Sequence, residues 1–512
     1  MSKRLLLGID CGTSGCKIAA FDFEGRVIAA QTSAYRTFYP HKGWAEQDAG
    51  EWWKAVCDGI RWMLHKFDIE PYEIAGIGVD GTSWACLPVD REGNPMRRVM
   101  LWLDRRAELQ AEQMKEKLGQ ERLVALSGNP VDAAYIVPKM LWLKQHQPEV
   151  YRKAYKFLQS NAFIVHKLTG EFSQDYSQGY GFHFFDISRG CWDEMVAEEL
   201  GISLDLMAPM FYSHEVVGTV TRRAAGETGL VPGIPVVAGG LDAACCTLGA
   251  GVVRPGQAQE QGGQAGGMSI QIDRPLIHPR LILGYHVVSD QWLLQGGTVG
   301  GSGTLRWFAQ QIIGSREHFE SDDDSEPSIF EVLSREAGEV PPGGDGLIFL
   351  PYMAGERSPI WDTKARGVFF GLSYDKTRAH MVRAIMEGVG FSLLHNLKTA
   401  EEVGVQAMEL NSVGGAANSP VWTQIKADIT GKTIHVPFSD HATALGAAIL
   451  AGVGTGIYKS FEEAVGKAIS IQRTHEPDPV NHEIYKVYYE LYLELYENLK
   501  GSFVKLDSLG RR

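Results

Sequence analysis

Asp10 closes an apolar strand and stands directly before Cys11-Gly12-Thr13-Ser14-Gly15, after which a second apolar strand runs to Phe21. That order reads as a β-hairpin whose turn is rich in backbone N–H groups and hydroxyls. Glycines let such a turn reach positive φ and bring its amides close to a ligand. A nest of amides favours anions, phosphate above all. The carboxylate of Asp10 repels a bare phosphate but suits one carrying Mg²⁺. Taken alone, the segment is equally an ordinary glycine-rich hairpin. Two more glycine turns follow strands, at 262–267 and 414–417, and a second carboxylate, Asp242 in GGLDAACC, ends another strand. A carboxylate so placed can accept a proton from a hydroxyl, or it can cap the helix that follows. Phosphoryl transfer needs mainly positioning, charge neutralisation and such a base.

The elements that must position these groups alternate between strands and helices. Strands are expected at 5–10, 17–22 and 26–35, and at 74–79, which runs into Asp80-Gly81-Thr82-Ser83. A helix over 51–67 places Trp52, Trp53, Val56, Ile60 and Met63 at helical spacing. Another opens at Pro138, with proline near its first turn. A strand at 236–240 is followed by Asp242. The second half repeats the plan. A hairpin over 259–272 turns through QGGQAGG, strands follow at 347–350 and 409–413, and helices at 419–430, 442–451 and 461–469. Two halves that each open on a glycine hairpin suggest an internal duplication. A last helix after Pro479 carries Ile484, Val487, Tyr488, Leu491, Leu495 and Leu499 as its expected buried stripe. The segment 315–328, with Asp322-Asp323-Asp324, reads as a solvated loop rather than a metal site.

Composition bounds the answer. The chain has 512 residues, 44% hydrophobic and 22% charged. Single cores stop growing at roughly 250–300 residues, so two large domains are expected. A formal net charge of -13 is unlike a basic nucleic-acid surface and suits a soluble cytoplasmic enzyme. Ser2-Lys3-Arg4 leads straight into the first strand, so no signal peptide is expected. The run 236–253 is nearly all apolar or small, yet it contains Asp242, so it reads as a buried strand–turn–helix and not a membrane span. The seven cysteines form no CxxC pair and read as reduced thiols, with Cys245-Cys246 as small core residues. A dehydrogenase would need GxGxxG opening a helix and an acidic residue about 20 positions on, which this chain lacks.

With these residues in view, the chain resembles the FGGY carbohydrate kinases. DCGTSGCK at 10–17 looks like the family's first phosphate motif. YIVPKMLW at 135–142 is similar to its first signature, and GGAANSPVWTQIKADITG at 414–431 to its second. GWAEQD at 43–48, PYMAGERSP at 351–359, ARGVFFGL at 365–372 and TALGAA at 443–448 add secondary matches. Within the family the chain is most similar to xylulokinases, through LWLDRRA at 101–107 and the GERSP region.

The resemblance implies a two-domain α/β fold of the actin/hexokinase/Hsp70-like ATPase type, a duplicated ribonuclease H-like fold with an interdomain cleft. Its domains would be 1–251, with the sugar site, first phosphate loop and base, and 252–512, with the second phosphate loop and adenosine side. It implies ATP and Mg²⁺ as cofactors and a small-molecule sugar as substrate, with no nucleic-acid or membrane partner; family enzymes often form homodimers. Asp242 matches the catalytic base, which deprotonates a terminal hydroxyl, and Asp10 matches the Mg²⁺ residue, with Asp242 beside it. Gly12, Thr13 and Ser14 match the loop facing the phosphates, and Lys17 follows it, either touching phosphate or solvated. Gly263, Gln264 and Gly266 fall in the second phosphate loop, and Gly414, Gly415 and Asn418 on the adenosine side. Asp80, Gly81, Thr82 and Asp104 fall on the sugar side. Asp104 also precedes Arg105-Arg106 and can serve as an ion pair, while Trp44 and Trp84 either line the sugar or pack the core.

The chain departs from the family twice. Xylulokinases commonly show Gln-Met-His where this chain has Asp80-Gly81-Thr82, and Asn where it has Ala243. The second phosphate loop usually carries hydroxyls, and here Gly263-Gln264-Ala265-Gly266 keeps the glycines without them. The expected activity is phosphorylation of the terminal hydroxyl of a ketopentose, D-xylulose first. Ribulose, erythritol and glycerol are alternatives, and a nucleotide-binding sensor without sugar kinase activity is a further one.

Overall fold

The computed structural model describes residues 4–314, 327–438 and 441–510. The Asp322-Asp323-Asp324 run, and with it the reading of that segment as a loop, lies outside the described residues. The chain groups into two compact units. One comprises Met1–Pro255, Gln271–Leu293 and His441–Ser470; the other comprises Gly256–Ile270, Leu294–Asp440 and Ile471–Arg512.

The first unit is built on a mixed sheet. Leu5–Cys11 and Gly15–Asp22 form the expected hairpin, extended antiparallel by Val27–Ala34. On its other side Leu5–Cys11 pairs in parallel with Ile74–Gly81, which pairs in parallel with Pro235–Val237 and Gly240–Leu241. Leu5–Cys11 is buried almost throughout, consistent with its continuous apolar run. One face is covered by the helix Ala49–Lys66, capped by Asp48 accepting from the Gly50 amide at 2.8 Å, with Trp52, Val56, Ile60 and Met63 inside. The other face receives the small-residue helix Ala442–Gly454. A Cβ on Gly8 would lie 2.0 Å from the Ala444 carbonyl oxygen, and one on Gly78 1.8 Å from that of Ala447. These two glycines let the helix backbone rest directly on the sheet.

The strand expected at 236–240 breaks at Ala238-Gly239 and resumes as Gly240–Leu241. Gly239 has φ 72°, and a Cβ there would meet the Val79 carbonyl oxygen at 1.7 Å, which explains both the break and the glycine. Asp242 opens the helix Asp242–Gly249 with Leu241 in the cap position. The strand–turn–helix reading of 236–253 holds.

The second unit repeats the plan of the first. Gln257–Gly262 and Gly266–Ile272 form an antiparallel hairpin, and Gln257–Gly262 pairs in parallel with Glu409–Val413, as Leu5–Cys11 does with Ile74–Gly81. Ile434–Pro437 and Ile471–His475 continue the sheet. The helices Arg378–Glu401, Pro420–Thr430 and Pro479–Gly510 pack a shared core.

The buried stripe expected on the last helix is corrected. Leu495 is buried and Tyr488 and Leu499 pack against the core partly buried, but Val487 is 68% exposed, and Ile484 and Leu491 face outward. The buried stripe runs through Tyr485, Tyr492, Tyr496 and Phe503. Tyrosine rings win because their hydroxyls find partners inside. Tyr485 donates to Glu387 at 2.8 Å and accepts from Arg383 at 2.6 Å, and Tyr492 accepts from Tyr352 at 2.8 Å.

Candidate active site

Sheet register assembles the carboxylates of the first unit. Asp10 is the direct partner of Asp80 on the neighbouring parallel strand, and Asp80 is the partner of Gly240, two residues before Asp242. Directly paired residues project to one face of a sheet. Asp80 is fully buried, and among the described residues its carboxyl group meets only that of Asp10, with which it shares a hydrogen bond. Burial, then the charges of Asp10 and Asp242, hold its pKa well above the usual carboxylate range. Burial also raises Asp10, against which its hydrogen bond to Asp80 acts first and Lys17, from across the hairpin, second. Burial and then the Asp10 charge push Asp242 up to about 7, while its carboxylate accepts from the Ala243 amide at 2.7 Å. All three acids thus hold their protons more tightly than exposed aspartates do.

The first hairpin turn is tied to the Asp80–Ser83 loop. Gln47 donates to the Thr13 carbonyl at 2.7 Å, and the Trp102 indole donates to the Thr13 hydroxyl at 3.1 Å. That hydroxyl lies 2.9 Å from the hydroxyl of Thr82. The Gly12 amide donates to the Gly15 carbonyl at 3.1 Å, closing the turn, while Ser14 remains exposed.

A polar network that sequence reasoning missed supports the same loop from below. Ser173, Gln174, Asp175, Ser177 and Gln178 are all buried. Asp175 accepts from Ser177 at 2.5 Å, Asn161 at 2.8 Å and the Gln178 amide at 2.9 Å, and burial raises its pKa to about 6. Ser160 donates to the Thr82 carbonyl at 3.2 Å, and Ser177 accepts the Leu241 amide at 2.9 Å. The network thereby holds both the Gly81-Thr82 backbone and the strand leading to Asp242. Its only trace in the sequence is a polar run, SQDYSQ, which looks like a surface loop until its burial is known.

Asp104 is also fully buried, and both its oxygens are committed. They accept from the Ala45 amide at 2.7 Å and from Arg106 at 2.6 and 2.8 Å. Arg106 lies 3.6 Å from the centre of the Trp44 ring. The geometry is that of the ion pair the sequence left open. Trp84 stacks on Tyr135 at 4.0 Å between ring centres, at φ 51°, an uncommon conformation for a bulky residue beside the Asp80 loop.

The second unit brings its own glycine turns together. The Ser302 amide and hydroxyl donate to the Gly263 carbonyl at 2.8 and 2.7 Å, and the Gly303 amide to that of Gln264 at 3.2 Å. A Cβ on Gly303 would lie 2.1 Å from the Gln264 amide nitrogen, so the Gln264 side chain rests on the start of the helix Ser302–Phe308. Gly414 has φ 91°, and a Cβ there would meet the Gly262 backbone at 3.1 Å, which sets the two turns side by side. Beneath them lies a buried ion pair. Lys426 donates to Glu260 at 2.6 Å, and Ser412 donates to the other carboxylate oxygen. Gly415 and Asn418 border a cavity of about 680 Å³ whose wall includes Leu305, Arg306, Phe330 and Trp422. That volume is in the range of small-molecule and cofactor sites. Gly266 lies at the far end of the turn, with the Thr298 hydroxyl 2.5 Å from where its Cβ would be.

Two mixed α/β units, each opening on a glycine hairpin with a parallel third strand, define a class of two-domain kinase-like folds. The N-terminal domain of the FGGY family of carbohydrate kinases matches residues 5–249, and the C-terminal domain matches residues 275–455. The chain belongs to the FGGY family of carbohydrate kinases. It is 33% identical to a xylulose kinase of Staphylococcus epidermidis over 98% of each chain. It is 28% identical to a gluconokinase of Bacillus licheniformis, over 99% of this chain and 98% of the relative. Among solved structures, xylulose kinase from Rhodospirillum rubrum is 28% identical and superposes with a TM-score of 0.88, covering 98% of this chain and all of that one. No helix of the described residues is long and apolar enough to cross a membrane.

Proposed function

We propose that this carbohydrate kinase transfers the γ-phosphate of ATP to the terminal hydroxyl of a ketopentose, D-xylulose first, with Asp242 as general base. The observation that carries the reading is Asp242 itself. It opens a helix beside Asp10 and Asp80, with its pKa raised to about 7. A base of that strength takes a proton near neutral pH and returns it readily. The xylulose kinases among its relatives favour the ketopentose.

The other residues divide by the atoms they offer. Asp10 and Asp242 supply hard carboxylate oxygens that fit Mg²⁺. With Mg²⁺ held by one or two protein carboxylates, phosphate and water would complete its shell. Mg²⁺ supplies neutralisation of the phosphate charge. Gly12, Thr13, Ser14 and Lys17 face the phosphates in the first unit. Gly263, Gln264 and Gly266 do so in the second, through backbone amides. Gly415 and Asn418, at the 680 Å³ cavity, and Gly414 next to them hold the adenosine side. Asp80, Gly81 and Thr82 meet the sugar. Asp104, with its oxygens already taken, holds Arg106 and the Ala45 amide in place.

The test is coupled ADP release from the full-length protein across ketopentoses, polyols and glycerol. Turnover dependent on D-xylulose supports the assignment. Preference for ribulose, erythritol or glycerol moves it within the family, and ATP turnover that no sugar stimulates would instead mark a nucleotide-driven sensor.

A further inference from the structure

The cavity of about 680 Å³ lies wholly within the second unit. Ser302, Leu305 and Arg306 give it one face of the helix Ser302–Phe308. Glu331, Ser334 and Arg335 give it one face of the helix Ile329–Gly338, at the same helical spacing. Both hydroxyls on these faces are already engaged by the chain. Ser302 donates to the Gly263 carbonyl at 2.7 Å, and Ser334 accepts from Ser419 at 3.0 Å. Glu331 gives one oxygen to the Ser328 amide at 2.7 Å, which leaves the other to accept. Arg306 and Arg335 are exposed, and neither makes a side-chain hydrogen bond or ion pair among the described residues. The wall thus offers a guanidinium on each of two helices, one carboxylate oxygen and the Asn418 amide, among the apolar side chains Leu305, Phe330 and Val421.

Those groups do not single out adenine. Adenine presents an amino donor beside its N7 acceptor, whereas guanine presents two acceptors, O6 and N7. Hypoxanthine shares that pair. A guanidinium only donates, so it matches O6 and N7 together and cannot pair with the amino group. The carboxylate oxygen of Glu331 suits the amino group of adenine or the ring N–H of an oxopurine, and the Asn418 amide suits either base. Resting on the reading above that this cavity holds the nucleoside of the phosphate donor, we propose that the kinase accepts oxopurine nucleotides, GTP and ITP, alongside ATP, and that Arg306 and Arg335 read the oxopurine edge. Pyrimidine nucleotides fill less of the cavity and forfeit apolar contact there, so they serve poorly. The transfer itself is unchanged. The γ-phosphoryl bonds to the sugar oxygen, GDP or IDP leaves in place of ADP, and the hydroxyl proton goes to Asp242.

The experiment measures sugar phosphate formed by the full-length protein with ATP, GTP, ITP, UTP and CTP as Mg²⁺ complexes, and the melting-temperature shifts given by ADP, GDP and UDP. Expected is a kcat/KM for GTP and ITP within about tenfold of that for ATP, with UTP and CTP at least about tenfold lower than GTP. GDP should raise the melting temperature as ADP does, and UDP should raise it less. Arg306→Gln combined with Arg335→Gln should lower the GTP-to-ATP ratio of kcat/KM at least about tenfold, the discrimination carried by forked guanidinium contacts. GTP used more than tenfold less well than ATP overturns the proposal, as does an unchanged ratio in the folded double variant. If that variant does not fold, the wild-type ratios and melting shifts decide alone. If no donor phosphorylates any sugar, the kinase reading falls, and the melting shifts still decide: GDP equal to ADP upholds the base assignment, and GDP without a shift overturns it.

Discussion

At the first hairpin Asp10, Asp80 and Asp242 are neighbours that act on one another, with Lys17 influencing Asp10 from across the hairpin. At the second, the buried carboxylate Glu260 is matched by Lys426 and Ser412. The backbone plan is the same in both: a glycine turn between antiparallel strands, with a third strand parallel to the first. The difference lies in how the buried acids are answered. In the second unit the charge is answered internally, and the turn is clasped by Ser302 and Gly303, so the pair serves the shape of the loop. In the first unit the buried carboxyl groups are answered mainly by one another. Strongly perturbed carboxylates collected in one place are a mark of chemistry more than of stability.

Four changes would break or sharpen that contrast. The largest effect is expected at Asp242. Asp242→Asn should lower kcat by about 10²–10⁴-fold, read by sugar-dependent ADP release, with little change in melting temperature. In the second unit Lys426→Met leaves Glu260 buried and unpaired, and should cost about 3–5 kcal/mol in urea unfolding. Glu260→Leu combined with Lys426→Met should recover most of that loss, because a well-packed apolar pair often equals a buried ion pair. Asp80→Asn should act in the opposite direction. It replaces a buried acid crowded by two like groups with a neutral amide and should stabilise the sugar-free protein by roughly 1–3 kcal/mol while lowering kcat/KM for sugar.

The smallest effect is a pH dependence. Asp175 is raised to about 6 in the folded protein from a usual value of 3.8. Between those values the folded state binds more protons than the unfolded state, so this group makes stability fall as pH rises from about 4 to about 6. Asp175→Asn should flatten that part of the profile in melts taken at pH 4, 5 and 6.

The hairpins, their turns and the helix Ala49–Lys66 were legible because each is a local pattern: alternation or helical spacing bounded by glycines or a capping Asp48. The helix Ala442–Gly454 was legible as a helix, but its seat on Gly8 and Gly78 was not, since close approach depends on residues more than 360 positions apart in sequence. The last helix misled because two stripes of similar spacing compete along it. Only the partners Glu387, Arg383 and Tyr352 decide that the tyrosines turn inward.

The sequence by itself determined the family, the two glycine hairpins, and the presence of Asp10 and Asp242 at the ends of strands. These are facts of residue type and short spacing. Tertiary structure alone decided which buried polar groups are satisfied. Asp104 and Glu260 read in the sequence as carboxylates of the same chemistry as Asp80, yet the fold gives basic partners to the first two and only another carboxyl group to the third. Burial and hydrogen bonding are properties of a position in space, set by segments as distant as Asp80 and Asp242, and no local pattern records them.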